Sequence, residues 1–497
     1  MNIQEAKTEI KRTLKAYTAA DDDGILSIPV TQQRPILLIG PPGIGKTAVM
    51  AQIAREESVG LVSYTMTHHT RQSAIGLPTL KEKTYRGRTY TVTEYTMSEI
   101  VASVYDCMET TGCSVGILFI DEINCVSETL APVMLQLLQN KTFGSHRIPE
   151  GWLIVAAGNP PEYNKSVRDF DIVTLDRVRR IDVEADLTVW KQYARENRIH
   201  PCILAFLNLY PDSFYLIRTD GEEPSFVTAR GWEDLSRILT AYEQNRDPVS
   251  EEMMSQYLQE EDIARNFALF YQLFRHYAAD FAAERYFSSG NRERMSKADP
   301  TEAIAVAAML FSRIAADVRA YRLKEHTDRR AAELSALFFR QIKGTAESEE
   351  NACQMLESFL VKQRQAGRIK EENGLLSLEE KILEYRAMKA LDRLLSQARA
   401  SSCSSPKQLE AFLGRASAQK KEEHRRSSLK ISDFIFHSYK LLEASSHSLA
   451  LTYFTADLSG NPDCAAFLAE HPCREFLDHC QDLLLFKKEE QLRQLLD

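Results

Sequence analysis

Residues 36–47 (ILLIGPPGIGKT) constrain the fold of this chain more than any other stretch. The four apolar residues 36–39 predict a short buried strand. Gly40 then opens the pattern G-x-x-x-x-G-K-[ST], which residues 45–47 complete. A strand before this pattern and a helix after it, here over 47–57, are typical of a phosphate-binding loop. The chain is therefore expected to fold around a βα unit that binds a nucleoside triphosphate.

The loop supplies the donors that a triphosphate requires. Glycines let several backbone N–H groups turn toward the phosphates, and the N-terminal end of the following helix favours the same anion. Lys46 is expected to contact the β and γ oxygens, and the Thr47 hydroxyl to take a place on Mg²⁺. ATP and Mg²⁺ are thus the predicted cofactors. The residues expected at the nucleotide are Gly40, Pro41, Pro42, Gly43, Ile44, Gly45, Lys46, Thr47 and Ala48.

Two carboxylates follow a second buried strand. Residues 116–120 (GILFI) predict this strand, and Asp121 and Glu122 come directly after it. In a doubly wound sheet the ligand binds at the carboxyl edge of the strands. Asp121 is expected to hold Mg²⁺ through water, and Glu122 to orient and polarise the attacking water. The alternative is an acidic pair at a helix N-terminus, a position that Asp and Glu favour.

Asn159 follows the next apolar strand, residues 152–157 (WLIVAA), and is expected at the same edge as Asp121. Its amide could hydrogen-bond the γ-phosphate or the attacking water. The alternative is an ordinary turn asparagine, because Pro160 follows it.

Apolar runs at 61–65 and 181–183 complete a predicted five-stranded parallel sheet, and beyond residue 185 the apolar spacing is almost entirely helical. Helical spacing in the C-terminal part covers 301–327, 329–345, 350–367, 376–400, 406–416, 428–444 and 462–494. The predicted fold is an α/β P-loop NTPase core, followed by an α-helical lid and an all-α C-terminal region. The expected domains are 1–190, 191–290 and 291–497.

A β-hairpin is predicted near residues 84–96, where β-branched and aromatic residues alternate around Arg86-Gly87. The hairpin lies between a strand and the helix 98–110, where a βα connection needs only a few residues. It is therefore expected to be an insertion into the core.

Charge and cysteine content narrow the function classes. The formal net charge of −9 argues against a broad nucleic-acid-binding face. The 9 cysteines form no C-x-x-C pair, which fits reduced thiols in a cytoplasmic protein. The first 20 residues predict a charged amphipathic helix rather than a signal peptide, and no apolar run is long enough to span a membrane.

Taken together, these motifs resemble those of AAA+ ATPases over roughly residues 30–290. Residues 121–124 (DEIN) and 157–160 (AGNP) are most similar to the MoxR-like clade and its dynein- and midasin-related neighbours. Two positions depart from that clade: residues 125–127 read CVS instead of a basic, alanine-rich segment, and Val178 stands where phenylalanine is common.

The resemblance implies further site residues. Asn159 falls at the sensor 1 position, and Arg230, in Ala-Arg-Gly at the start of a helix, falls at sensor 2. Arg177 falls at the arginine finger, which reaches into a neighbouring subunit, with Arg179 and Arg180 close enough to compete for that role.

The 84–96 hairpin matches the helix-2 insert of that clade, which lies near the central pore. Its expected contact residues are Tyr85, Arg86, Arg88 and Tyr90.

As a MoxR-like protein, the chain is expected to hydrolyse ATP as a ring, by family resemblance a hexamer, and to remodel a protein client. A partner with a von Willebrand factor A domain is also implied by the resemblance. Two alternatives stay open: a nucleic-acid-directed motor, and an ATP-gated scaffold with little turnover.

Overall fold

The computed structural model describes residues 1–66, 76–126, 130–143, 146–163, 170–218, 224–283, 286–342, 351–372 and 378–481. Its strands are β1 Ile36–Ile39, β2 Gly60–Thr65, β3 Pro78–Tyr85, β4 Arg88–Tyr95, β5 Gly116–Asp121, β6 Thr142–Phe143, β7 His146–Arg147, β8 Trp152–Gly158, β9 Arg179–Asp182, β10 Leu216–Arg218 and β11 Ser225–Val227. The first helices are α1 Ile3–Thr18, α2 Lys46–Glu57, α3 Glu99–Thr111, α4 Ala131–Asn140, α5 Ile172–Leu175, α6 Leu187–Glu196, α7 Pro201–Leu209, α8 Ala229–Asn245, α9 Glu251–Ser255, α10 Glu261–Ala283 and α11 Ser289–Lys297. The later helices are α12 Pro300–Ile342, α13 Ala352–Glu372, α14 Leu378–Ala400, α15 Pro406–Leu442, α16 Ser448–Gly460 and α17 Pro462–Glu470.

Five of these strands form one parallel sheet in the order β2-β5-β8-β1-β9. The chain order differs from the spatial order, so crossovers place helices on both faces of the sheet. The predicted five-stranded parallel P-loop core, followed by a helical region, is confirmed. All five predicted strands are present, each within two residues of its predicted bounds.

Alternating side chains in the strands are buried on opposite faces of the sheet, as the two-residue period of a strand requires. In β1, Leu37 lies in one core cluster, together with residues of α3 and α4. Ile36 and Leu38 lie in a second cluster, together with residues of α1 and α2. Burial on both faces explains why the sequence shows continuous apolar runs instead of alternation.

Helix α1 is held to the core by charge as well as by apolar packing. Its Lys7 Nζ lies 2.7 Å from a carboxylate oxygen of Glu56 on α2. Its Glu9 forms an ion pair with Arg179 at the start of β9. The helix therefore contacts both the helix after the phosphate loop and the edge strand of the sheet.

The hairpin is longer than the predicted 84–96. Strands β3 and β4 pair antiparallel over eight residues each, from Pro78 opposite Tyr95 to Tyr85 opposite Arg88. None of its residues is buried. Eight residues span about 26 Å, so the hairpin is an extended ribbon outside the core.

Residues 1–194 and 206–269 form one compact unit, and residues 195–205 with the chain from Phe270 onward form a second. The three-domain division expected from the sequence stays a prediction. Within the first unit, Trp232 of α8 packs against Phe206 and Phe267 with ring centroids 5.8 and 5.2 Å apart. This aromatic cluster is the core of the predicted lid.

The second unit is built on long helices. Helix α12 has 43 residues and is about 65 Å long at 1.5 Å per residue. Its C-terminal half packs with α13, α14 and α15 around a buried cluster that includes Leu334, Phe338 and Leu391. The helices predicted at 301–327 and 329–345 are one continuous helix, and those at 406–416 and 428–444 belong to α15. None of the described helices is both long and apolar enough to cross a membrane.

The packing of Trp152 on two strand glycines generates a stability prediction. In Gly116→Ala the new Cβ would lie 2.7 Å from two ring carbons of Trp152, which is 1% exposed. Overpacking of this kind costs about 1–3 kcal/mol, so we expect the midpoint of urea unfolding to fall. The measurement is intrinsic fluorescence, because all 3 tryptophans of the chain lie in the first unit.

Gly414→Ala is the control, since a Cβ on Gly414 of α15 would meet nothing within 4 Å. We expect it to leave the fluorescence midpoint unchanged. An unchanged midpoint for Gly116→Ala would contradict the packing argument.

Candidate functional site

The turn between β1 and α2 requires glycine at position 43. Gly43 has φ +74°, and a Cβ there would lie 2.8 Å from Cβ of Thr228. The left-handed φ strains any other residue, and the close approach of Thr228 leaves no room for a side chain. The loop therefore presents bare backbone to whatever binds inside it.

Lys46 begins α2, and its ammonium group is buried inside the loop. Its Nζ donates to the carbonyl oxygens of Gly40 at 2.6 Å and Pro41 at 2.9 Å, and to Oδ1 of Asn159 at 2.9 Å. Burial lowers the pKa of Lys46 to about 8; the Asp121 charge opposes this shift and the Arg230 charge adds to it. All three protons of the ammonium group are thus hydrogen-bonded, but burial makes its charged form less favourable than it is in water.

Thr47 and Asp121 meet beside this lysine. The Thr47 hydroxyl donates to Oδ2 of Asp121 at 2.8 Å, which joins the end of β5 to the start of α2. A hydroxyl oxygen and a carboxylate oxygen at this separation are the hard oxygen ligands that Mg²⁺ binds, usually with several waters retained. The two residues predicted to hold Mg²⁺ therefore lie together and fit that ion. Within the described ranges, no group of three or more His, Cys, Asp and Glu could hold a metal by itself.

Glu122 follows Asp121 in a left-handed backbone conformation, with φ +55°. Its N–H donates to Oδ1 of Asp121 at 2.9 Å, and its carbonyl accepts from Cys125 in a 3₁₀ turn. A non-glycine residue with positive φ is uncommon, so the surrounding turn must hold it. Its carboxylate forms no hydrogen bond or ion pair with the described residues, which leaves the carboxylate available to a ligand.

Asn159 lies at the carboxyl edge of β8, as predicted, with its side chain on Lys46. Its backbone carbonyl accepts a hydrogen bond of 2.7 Å from Nδ2 of Asn124. The structure thus brings together Lys46, Thr47, Asp121 and Asn159 at one edge of the sheet. Asn124 is a contact that sequence reasoning missed, because its partner is 35 residues away and no local pattern indicates it.

Residues of the predicted lid contact the phosphate loop from the other side. The backbone N–H of Arg230 donates to the Gly43 carbonyl at 3.2 Å, and Thr228 caps α8 through a hydrogen bond from Gly231. The Arg230 charge lies close enough to lower the pKa of Lys46. Arg230 is therefore near the loop of its own chain, and its role as sensor 2 stays a prediction.

Tyr215 was not foreseen from the sequence. Its hydroxyl donates to the Pro42 carbonyl at 2.7 Å, and burial raises its pKa above the ordinary value. No motif marks this tyrosine, since its contact spans 173 residues. It fixes the outer turn of the loop.

Arg177 lies beside the amino ends of the strands, whereas the phosphate loop lies at their carboxyl ends. Arg179 of β9 is in register with Ile36, the first residue of β1, so Arg177 precedes the amino ends of these strands. The phosphate loop follows the carboxyl end of β1, and the four residues of β1 span about 13 Å. This separation exceeds the length of an arginine side chain, so Arg177 cannot reach the loop of its own chain.

The three candidate arginines differ in their partners. Arg179 forms an ion pair with Glu9, and Arg180 forms one of 2.8 Å with Asp182. Arg177 is exposed, and its guanidinium forms no hydrogen bond or ion pair with the described residues. Of the three, Arg177 is the one without an ion pair among the described residues, although its charge helps to lower the pKa of Asp171.

The hairpin presents aromatic and charged side chains to solvent. Tyr85 and Tyr90 are 53% and 50% exposed and are diagonal neighbours near the tip, with ring centroids 6.2 Å apart. Lys81 and Lys83 both form ion pairs with Glu94, which lowers the pKa of Glu94 to about 2. Glu82, also on β3, balances the charge of the second lysine, so the net positive charge of the ribbon is that of Arg86 and Arg88 at its tip.

A comparison with known protein families identifies the segment of the chain that contains the carboxyl edge of the sheet and the phosphate loop. Residues 35–178 match the AAA domain of the dynein-related subfamily. The matched segment includes the phosphate loop, Asp121, Glu122, Asn159 and Arg177, and it ends before Arg230. No curated protein matches the chain by sequence. Residues 35–178 thus carry an AAA domain, a P-loop fold of the AAA+ ATPases.

The lowered pKa of Lys46 predicts proton uptake on nucleotide binding. At pH 8 about half of the Lys46 side chains are neutral, since the pKa is about 8. A bound triphosphate stabilises the ammonium form and raises this pKa, so binding takes up a proton. Calorimetry at pH 8 in buffers of different ionisation enthalpy measures the uptake, and we expect a fraction of a proton per ATP analogue bound.

Lys46→Met is the control, because it removes the titrating group and leaves the proton exchange of the ligand itself. Equal uptake by the two proteins would exclude Lys46 as its source.

Proposed function

We propose that the AAA domain hydrolyses ATP in a Mg²⁺-dependent reaction, as part of a MoxR-like ring ATPase that remodels or activates a protein client. One observation carries this proposal: Lys46, Thr47, Asp121 and Asn159 converge at the carboxyl edge of the sheet, with the free carboxylate of Glu122 directly after them. A phosphate loop alone supports nucleotide binding. The carboxylate and the amide beside it support hydrolysis.

The roles of the residues follow from their donors and acceptors. The ammonium of Lys46 would leave the carbonyls of Gly40 and Pro41 for the β and γ oxygens of ATP, which are stronger acceptors because they are charged. Thr47 and Asp121 would hold Mg²⁺, directly or through water. When bound, that ion neutralises phosphate charge that develops in the transition state.

Water supplies the nucleophile. Glu122 would accept a hydrogen bond from this water and orient its oxygen toward the γ-phosphorus, and the Asn159 amide would hydrogen-bond the water or the γ-phosphate. The new P–O bond forms as the bond between the γ-phosphorus and the β–γ bridging oxygen breaks. The water gives its proton to the Glu122 carboxylate, which later releases it to solvent, and the products are ADP and inorganic phosphate.

The position of Arg177 supports a ring. Its exposed guanidinium, which has no ion pair among the described residues, lies at the amino edge of the sheet and cannot reach its own nucleotide site. An arginine in this position would instead complete the site of a neighbouring subunit, where it stabilises the charge of the transition state. A head-to-tail contact of this kind repeats from subunit to subunit, and the proposal is that its rotation closes the assembly into a ring. Six subunits are proposed from the MoxR-like resemblance.

The hairpin β3–β4 is the proposed contact with the client. An isolated two-stranded hairpin is at best marginally stable in water, so an exposed ribbon of this length favours a binding role. Its exposed tyrosines and arginines are residue types that are enriched at protein interfaces. A partner with a von Willebrand factor A domain stays a proposal from the family resemblance, and a location in the cytoplasm stays a proposal from the cysteine content.

The two alternative functions receive less support. A nucleic-acid motor is disfavoured because Glu82 and Glu94 balance the charge of Lys81 and Lys83 on the ribbon, which leaves the charge of Arg86 and Arg88 for phosphates. A scaffold with little turnover would not require the free carboxylate of Glu122.

Replacement of the proposed general base tests hydrolysis directly. Glu122→Gln keeps the side-chain shape but removes the charge that polarises water, so we expect turnover to fall at least about 100-fold. Binding of an ATP analogue should stay close to wild type. Phosphate release and fluorescence titration measure the two quantities. Glu109→Gln, an exposed change on α3, is the control and should behave as wild type; wild-type turnover in Glu122→Gln would reject the assignment.

A mixing experiment tests whether Arg177 acts between subunits. Lys46→Ala and Arg177→Ala should each be inactive alone, because one lacks the loop lysine and the other the arginine finger. Mixed in equal amounts, about a quarter of the interfaces would pair an intact loop with an intact Arg177, so about a quarter of wild-type activity should return.

Arg180→Ala, whose arginine is paired with Asp182, is the matched control and should stay active alone. If co-assembled mixtures recover no activity, Arg177 does not act in a neighbouring site.

A further inference from the structure

Asn124 is a buried polar residue beside the proposed site to which neither the motifs nor the resemblance assign a role. It lies in the 3₁₀ turn Ile123–Cys125, two residues after Glu122. It is 5% exposed, and the backbone of the turn is closed by the hydrogen bond from Cys125 to Glu122. Any displacement of Asn124 therefore also shifts the turn that holds Glu122.

The two ends of the Asn124 amide have unequal surroundings. Nδ2 donates to the Asn159 carbonyl at 2.7 Å, but the buried Oδ1 accepts no hydrogen bond among the described residues. An unsatisfied buried acceptor destabilises a fold, so folding alone does not favour asparagine over an apolar residue here. The single hydrogen bond, to the residue whose side chain contacts Lys46, is what the asparagine adds.

Gly158 leaves the space that this amide occupies. A Cβ on Gly158 would lie 2.5 Å from Oδ1 and 2.8 Å from Cγ of Asn124. The φ of Gly158 is not positive, so the backbone accepts other residues and only the close approach requires glycine. The last residue of β8 and the turn after β5 are therefore fitted to each other.

We propose that Asn124 is a positioning residue for the hydrolytic step. It joins the turn that carries Glu122 to the strand end that carries Asn159. These are the two residues proposed to orient the attacking water, and Asn124 fixes the distance between them. Its hydrogen bond goes to the Asn159 backbone and not to Lys46, Thr47 or Asp121, so we expect its effect to fall on turnover and not on nucleotide affinity.

A role in packing alone makes a different prediction, and a double-mutant cycle separates the two. Asn124→Ala removes the hydrogen bond and leaves a gap beside Gly158. Gly158→Ala introduces a Cβ that collides with the Asn124 amide. In the double variant the new methyl group occupies the gap, so packing is restored while the hydrogen bond to Asn159 stays absent.

The experiment measures the thermal midpoint, kcat and the affinity for a non-hydrolysable ATP analogue in the full-length protein. We expect both single variants to lower the midpoint, and the double variant to return it to near the wild-type value. We expect kcat to fall at least about tenfold in all three variants, while analogue affinity changes less than about threefold. Recovery of stability without recovery of kcat is the signature of positioning.

Two outcomes would overturn the inference: wild-type kcat in Asn124→Ala, or a double variant that recovers both stability and kcat. The inference rests on the proposed ATPase function, and the failures of the two are distinguishable. An inactive wild-type protein, or full turnover in Glu122→Gln, would remove the proposed function together with this role. An active wild type whose turnover depends on Glu122 but not on Asn124 would remove the inference alone.

Discussion

The buried ammonium group of Lys46 is the interaction on which the rest of the site depends. An ammonium has three protons, and each has an acceptor here: two loop carbonyls and the amide oxygen of Asn159. A buried charge is tolerated only when it is hydrogen-bonded in this way. The same three bonds join the end of β1 to the end of β8, which are neighbours in the sheet. The loop is thus shaped by the cation that it surrounds, and its carbonyls would release that cation to a stronger anionic acceptor.

Local sequence was sufficient to predict the core of the fold. Each central strand is a short apolar run followed by a polar or glycine residue, and burial on both faces makes such runs easy to recognise. The long helices were harder, because the charged segment 417–427 interrupts the apolar spacing of α15 without interrupting its backbone. The first half of the hairpin was missed for a related reason. Both of its faces are exposed, so no alternation of apolar and polar residues marks β3.

The residues of the candidate site also divide into those that local sequence could predict and those that depend on distant contacts. The phosphate loop, Asp121, Glu122 and Asn159 could be placed at one edge, because each immediately follows a recognisable strand. The choice among Arg177, Arg179 and Arg180 depends on tertiary structure. Arg179 forms an ion pair with Glu9, and Arg177 lies at the amino ends of the strands, away from the phosphate loop of its own chain. Tyr215 and Asn124 act through contacts distant in sequence, and single-sequence patterns carry no information about such pairs.

The exposed hairpin has a consequence for how this domain could change over time. None of its residues belongs to either core cluster of the sheet, and the chain enters and leaves it side by side at Pro78 and Tyr95. Substitutions in the ribbon therefore carry little penalty for folding or for the chemistry at the sheet edge. The amino-acid composition of the ribbon is constrained mainly by the molecule that it binds. A duplicated copy of the gene could acquire a new binding specificity in the ribbon, while the nucleotide site at the sheet edge stayed the same.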